Sequence, residues 1–292
     1  MKVSLRFGPS GGGDADHNCR NYDTTKSPHI MQEKIKDNVS MCVYPELIDD
    51  FTAAEKKFYE DNFQHLLDRQ NANALKHRRK DRVKTMDEFR ESRNNAVTES
   101  LFQIGNIYNQ PDKQVLAKAY NELMKYSDEI TGGRCKVLNA SLHVDESTPH
   151  VHTRMIWVYN SYDEQGNPQL EIGKAKALEQ AGIPLPYADE PEDSRRNNRM
   201  MTYTDMMREK AYDLCREYGL EMDESPRERG EGYTKTDYLD FIMESREAAL
   251  DLKRQQKQLE KERAELRENF PRFYGDKKPT REQERLLKID EE

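Results

Sequence analysis

Three of the chain's seven histidines fall within ten residues, in HVDESTPHVH (143–152). Side chains two apart on a strand share a face, so His150 and His152 point the same way. RCKVLNASLHV (134–144) and HVHTRMIWVYN (150–160) are the clearest strand patterns in the chain. The short DESTP connection makes them an antiparallel hairpin. Asn139, Ser141 and His143 then share one face. Leu138, Ala140 and Leu142 share the other, and Leu142 and Trp157 go to the core. If His143 lies opposite His150 or His152, three neutral imidazoles converge on one point. That is a metal site with positions left for water or substrate. The bland alternative is a polar strand face whose histidines are satisfied one by one. The H-x6-H-x-H spacing favours the metal, since clustered imidazolium ions repel whereas a metal binds the neutral rings. Imidazole suits Zn²⁺, Ni²⁺, Co²⁺ or Mn²⁺. Glu146 or Asp145 could complete the shell or act from outside it.

The elements that would carry this hairpin follow from pattern. KVSLRFG (2–8), NVSMCVY (38–44) and VTESLFQIGN (97–106) read as strands. A helix begins at Thr52, where Thr52 and Glu55 form a capping-box signature, with Phe58, Tyr59, Phe63, Leu66 and Leu67 as its apolar stripe. Pro111 and Asp112 open a second helix, and residues 203–218 form a third that ends at Gly219. Residues 162–200 read as polar and irregular apart from a short helix near 173–181. Residues 236–268 form a long charged helix. Strands interspersed with helices around a central hairpin give an α+β class with an antiparallel sheet. Residues 1–220 form the domain and 221–292 a charged helical extension.

Composition narrows the setting. Charged residues are 35% of the 292, and 47 Lys+Arg against 55 Asp+Glu give a net charge of −8. Whole-chain charge argues weakly against nucleic acid, but binding depends on local patches. Lys76–Arg93 is such a patch. Cys19, Cys42, Cys135 and Cys215 are far apart and form no CxxC pair, which is reduced, cytosolic usage. No apolar run is long enough to span a membrane. H-x-H-T with Ser161 and Asp163 loosely resembles metal-dependent isopeptidases of the JAMM type. Val151 replaces the small hydroxyl residue expected there, and the Ser–Asp spacing is one residue short. GPSGGGD lacks the GK[ST] ending of a phosphate-binding loop and more readily lets the His17 segment move.

HVDESTPHVH resembles the third motif of the MobV relaxases, the Pre/Mob plasmid mobilisation and recombination proteins of the HUH endonuclease superfamily. HNCR (17–20) resembles their first motif, H-N-x-R, and NYD (21–23) their second. FQIGN (102–106) is similar to a further stretch seen in many members. The resemblance covers roughly residues 1–220. One departure is that NYD directly follows HNCR here, where the family usually separates them. The resemblance implies a metal-dependent, site-specific single-strand DNA nickase, with Mn²⁺ or Mg²⁺ as cofactor, that stays attached to the 5′ end and later rejoins it. A bacterial cytoplasmic protein acting on single-stranded or hairpin origin-of-transfer DNA is the corresponding expectation. A rolling-circle replication initiator, or a non-catalytic origin-binding protein with a structural metal, are the alternatives. Motif order argues against the initiator, because His17 precedes H-x-H.

On this reading His143, His150 and His152 hold the metal. The resemblance points to His17 as nucleophile, with Tyr22 as its rival. Glu146 would orient His17, and Arg20 would stabilise phosphate charge. Asn18 and Arg154 are candidate DNA contacts. So are Lys76, Arg78, Arg79 and Lys80 in KHRRKDRVK, and Arg195, Arg196 and Arg199 in SRRNNRMMTYTD. Leu252, Leu259 and Leu266, seven apart, hint at a short heptad for self-association or a coupling-protein contact.

Overall fold

The computed structural model of the chain describes residues 2–9, 14–163, 165–192 and 195–223, and further along 248, 251–252, 254–262 and 264. The elements run β1 (Leu5–Pro9), α1 (Ala15–Cys19), β2 (Val39–Cys42), α2 (Phe51–Lys76), α3 (Met86–Arg90), β3 (Thr98–Ile104), α4 (Lys113–Thr131), β4 (Cys135–His143), β5 (His150–Tyr162), β6 (Pro168–Ile172), α5 (Lys174–Gln180) and α6 (Arg199–Glu217). Contacts divide the chain into Met1–Glu231 and Gly232–Glu292. In the second unit, residues 251–252 and 254–262 are helical, with Leu252 and Leu259 exposed. Leu266, the third heptad position, lies outside the described residues, as does most of the Gly-rich segment.

The strands form one antiparallel sheet in the order β1-β3-β5-β4-β2, with β6 paired to β5. β5 lies between β3 and β4 and its alternation divides two layers. Val151, Met155 and Trp157 join one core with Leu116 and Leu123 of α4 and Tyr203 and Met207 of α6. Ile156 and Val158 join the other with Tyr59 and Phe63 of α2 and Met86 and Phe89 of α3. Each such buried side chain contributes on the order of 1.5–3 kcal/mol. Both faces of the central strand are thus covered, and its polar N-terminal end is fixed between them.

Several local expectations are corrected. The α2 cap is Asp50, whose carboxylate accepts from Ala53 N at 2.9 Å. It stands at the extended residue just before the helix, where a carboxylate reaches the third amide directly. That releases Thr52 to donate to Asp16 Oδ1 at 3.1 Å, and Glu55 to turn inward. The capping box belongs instead to Thr85 and Glu88 of α3. Leu138 does not share a face with Ala140 and Leu142. A bulge between Val137 and Asn139 turns it to the α2 side. β6 occupies part of the stretch read as irregular. It begins at Pro168 and pairs on one side with β5, where a missing amide costs little.

Candidate active site

The hairpin register places His143 opposite His150 and Ser141 opposite His152. The three rings therefore emerge on one face. Their centroids are 5.4 Å (His143–His150), 5.0 Å (His143–His152) and 4.8 Å (His150–His152) apart. Each ring has one nitrogen already engaged. His150 Nδ1 lies 2.8 Å from Thr148 O, His152 Nδ1 2.8 Å from Glu99 Oε1, and His143 Nε2 2.9 Å from Asn18 O. Carbonyl and carboxylate oxygens only accept, so those three nitrogens carry the hydrogens. The lone pairs fall on His143 Nδ1, His150 Nε2 and His152 Nε2.

These lone pairs meet no donor that would satisfy them. His150 Nε2 faces His152 Nε2 at 3.0 Å. His143 Nδ1 is buried without a hydrogen-bond partner, and its closest carboxylate oxygen, Glu146 Oε1, is 3.6 Å away. A buried acceptor left unsatisfied costs about 1–3 kcal/mol. His143 Nδ1 is such an acceptor, His150 Nε2 and His152 Nε2 face each other, and each of the three rings has its other nitrogen oriented by an oxygen, as imidazoles that bind a cation do. Burial pushes the three rings down from the ordinary imidazole range, His150 to about 4. They are neutral near pH 7, as metal ligands must be. The residues present fit a divalent ion.

His17 stands beside this group, on the one-turn helix α1. Asp14 caps the helix by accepting from Asp16 N, and Arg20 closes it in the left-handed conformation at φ 59°. That conformation costs a side-chain-bearing residue roughly 1–2 kcal/mol. It is held because the Arg20 guanidinium donates to both oxygens of buried Asp145, at 2.9 and 2.7 Å, and to Glu146 Oε1 at 2.8 Å. Positions 17 and 20 share a helix face. Arg20 Nη1 lies 3.2 Å from His17 Nε2, so the guanidinium donates to that nitrogen's lone pair. Tyr22 Oη is 3.4 Å from His17 Nδ1. The His17 ring sits 5.6 Å from both His143 and His152. His17, His143 and His152, and separately His143, Glu146 and His150, each offer donor atoms that lie within 4.8 Å of one another. Burial pushes the Glu146 carboxyl up, but the His143, His17 and His150 rings when protonated, together with the Arg20 guanidinium that donates to it, outweigh burial and hold it well below the usual range.

The structure separates the expected residues into three groups. His17, Arg20, Tyr22, Glu146, His143, His150 and His152 come together. Asp145, offered as a further ligand, is instead taken up by Arg20. Asn18 and Arg154, expected to contact DNA, are buried and committed to protein partners. Asn18 Nδ2 donates to Glu99 Oε2 at 3.0 Å. Arg154 donates to both oxygens of Glu55, at 2.5 and 2.9 Å, and to Glu99 Oε2 at 3.3 Å. A guanidinium at that depth is held by carboxylates because an unpaired buried charge is prohibitive. The third group lies away from the histidines. Lys76, Arg78, Arg79 and Lys80 are exposed at the far end of α2, whose Thr52 end touches α1. Twenty-four residues of helix separate the two ends, about 36 Å. Arg195, Arg196 and Arg199 lead into α6, on the opposite face of the sheet. Arg199 Nη1 donates to Ile183 O at 2.7 Å.

Sequence reading missed Glu99 and Glu55. Glu99 carried a signal, a carboxylate within the apolar strand TESLFQI, but its partner depends on the β3–β5 register that sets it opposite Arg154. Glu55 carried none beyond a position read as a capping box.

Residues 52–181 match the family model Mob_Pre, described as plasmid recombination enzyme. The matched span holds β3, β4, β5 and the three clustered histidines. No curated protein compared with this chain matches it. Among solved structures, the chain is similar to the MobM relaxase domain (MOBV; Mob_Pre) bound to plasmid pMV158 oriT DNA, in a Mn-bound crystal structure at pH 6.8. Identity there is 13%, TM-score 0.45, and the likeness covers 83% of this chain and 100% of that one. A Mn-bound structure of the same domain with a 22-nucleotide oriT DNA at pH 4.6 gives 14% identity, TM-score 0.44, and 82% and 98% coverage. The corresponding structure at pH 5.5 gives the same values.

Proposed function

We propose that the chain is a metal-dependent relaxase, nicking and rejoining one DNA strand at an origin of transfer for mobilisation of a plasmid or related element. The observation that carries this reading is the cluster of three imidazole rings, each with one nitrogen held by an oxygen and the other left for a ligand, beside a fourth, half-exposed imidazole, His17. His143, His150 and His152 hold the ion. When bound, it would neutralise a non-bridging phosphate oxygen and make the phosphorus a better electrophile.

His17 Nε2 is the attacking atom. Its lone pair is directed toward Arg20 and the cluster, and Tyr22 Oη accepts from Nδ1–H and fixes the tautomer. Arg20 Nη1, released from Nε2 as the substrate enters, donates to the phosphate, while its Asp145 contacts keep the guanidinium plane in place. The N–P bond forms as the P–O3′ bond breaks. The 3′ oxygen leaves and takes a proton from water, and the 5′ phosphoryl group remains on His17 as a phosphoramidate. Reversal by a 3′ hydroxyl rejoins the strand without an external energy source. Glu146 lies 3.6 Å from His17 Nε2 and favours a positively charged ring during attack.

The basic turn Lys76–Lys80 contacts DNA backbone about 36 Å from the nick, roughly ten base pairs of duplex. The first unit, Met1–Glu231, forms the nuclease and the second an extension; the boundary expected at 220 lies further on, because Glu221–Asp223 pair with Val3. Exposed Leu252 and Leu259 suit self-association or a coupling-protein contact. Among the described residues no helix is long and apolar enough to cross a membrane, and all four cysteines are free. Action on plasmid DNA places the protein in the bacterial cytoplasm.

The test is incubation with single-stranded origin DNA, with Mn²⁺ or with chelator. A metal-dependent covalent adduct that is acid-labile and alkali-stable, lost in His17→Ala and retained in Tyr22→Phe, is expected. Loss in Tyr22→Phe with retention in His17→Ala would transfer the nucleophile role to Tyr22. Origin binding with no cleavage under any divalent ion would favour the accessory-protein reading.

A further inference from the structure

We propose that Glu99 and Asn18 couple occupancy of the three-histidine site to the placement of His17. Two separate links run from the histidine cluster to the residue next to His17. Glu99 Oε1 takes the Nδ1–H of His152, while its Oε2 accepts from Asn18 Nδ2 at 3.0 Å. The Asn18 backbone carbonyl takes the Nε2–H of His143 at 2.9 Å. Asn18 is thus gripped at its side chain by one ring's partner and at its backbone by another ring. It is 2% exposed, so water offers no substitute for either bond. Arg154 fixes the Glu99 carboxylate from behind, and is itself fixed by Glu55. Whatever holds the two rings in their binding orientation therefore holds α1, and α1 carries His17. Glu99 and Asn18 are positioning residues, since neither touches the reacting atoms. Linkage requires the effect to run both ways by the same factor.

The inference rests on the metal reading of the three histidines. Two measurements test it without turnover. First, hydrogen exchange of the peptide covering residues 15–20 in the wild-type full chain is expected to slow at least about 5-fold when Mn²⁺ is added. Second, Mn²⁺ titration calorimetry is expected to give Asn18→Ala and Glu99→Gln dissociation constants about 10-fold or more above wild type. In both variants the slowing of exchange by Mn²⁺ should be lost, with melting curves confirming that they are folded. Tight Mn²⁺ binding by Asn18→Ala, with exchange at 15–20 indifferent to the ion in wild type, overturns the coupling and leaves the metal site standing. Failure of wild type to bind Mn²⁺ at all overturns both. The exchange comparison needs no variant, so a misfolded mutant does not shelter the proposal.

Discussion

The two ends of α2 differ in how completely their charges are committed. At the Thr52 end, Glu55, Glu99, Arg154, Asp145 and Arg20 are buried or nearly so, and each is bonded to an opposite charge. At the other end, Lys76, Arg78, Arg79 and Lys80 lie in the open on a turn where Arg78 adopts a positive φ. The first arrangement fixes side chains to within a fraction of an ångström, as a reacting centre needs. The second leaves long cations free to follow a polyanion, where only the sum of charges matters. Removing one group at the first end therefore has large, non-additive effects. Removing one at the second has small, additive effects.

The largest contrast comes from His17→Ala. It should lower nicking by at least about 10³-fold, as loss of a nucleophile does elsewhere, while leaving origin binding within about 2-fold. A nicking assay beside a filter-binding curve shows both, and retained cleavage would break the contrast. Arg154→Met comes next. It strands Glu55 and Glu99 as unpaired buried carboxylates and should destabilise the protein by about 3–5 kcal/mol. That is roughly a 10 °C fall in melting temperature for a domain of this size. A shift under 2 °C would mean the charge pairing there is dispensable. The matched replacement of Arg154, Glu55 and Glu99 together by apolar residues should recover part of the loss and still abolish tight metal binding.

Acid sharpens the contrast further. His150 titrates at about 4 in the folded protein because burial disfavours its charged form, against ~6.5 when unfolded. The unfolded chain therefore binds the extra proton first. Stability of metal-free protein is complete above about pH 6.5 and declines as pH falls toward 4, by up to about 3 kcal/mol from this group. Urea titrations at pH 7 and pH 5 on chelator-treated protein measure it, and greater stability at pH 5 would contradict the burial argument. The smallest effect is expected from Lys80→Ala. It should reduce the slope of log affinity against log salt by about 0.7–0.9, with no change in cleavage at saturating DNA. An unchanged slope would remove the basic turn from the DNA interface.

What the sequence disclosed follows the same division. The histidine hairpin was legible because period-2 alternation and the H-x-H spacing are local signals. The register that pairs His143 with His150 follows from a short turn. The α2 stripe was legible for the same reason. What was hidden depends on long-range registry. Arg154 reads from its strand as one more polar residue beyond the histidines. Only the packing of Glu55 from α2 and the pairing of Glu99 from β3 show that it is an internal counter-ion. Asn18 was misread likewise, since a motif places it beside the nucleophile without showing which way its amide turns. The basic run was legible as composition but not as position. Its composition was conspicuous, and 36 Å of helix separate it from the chemistry.

Electron paramagnetic resonance of Mn²⁺ bound to the wild-type chain, with pulsed detection of nitrogen couplings, tests the central claim most directly. One ion per chain coupled to imidazole nitrogens is expected, with the coupling diminished in each of His143→Ala, His150→Ala and His152→Ala. An ion showing no nitrogen coupling, or couplings indifferent to all three substitutions, would contradict the account.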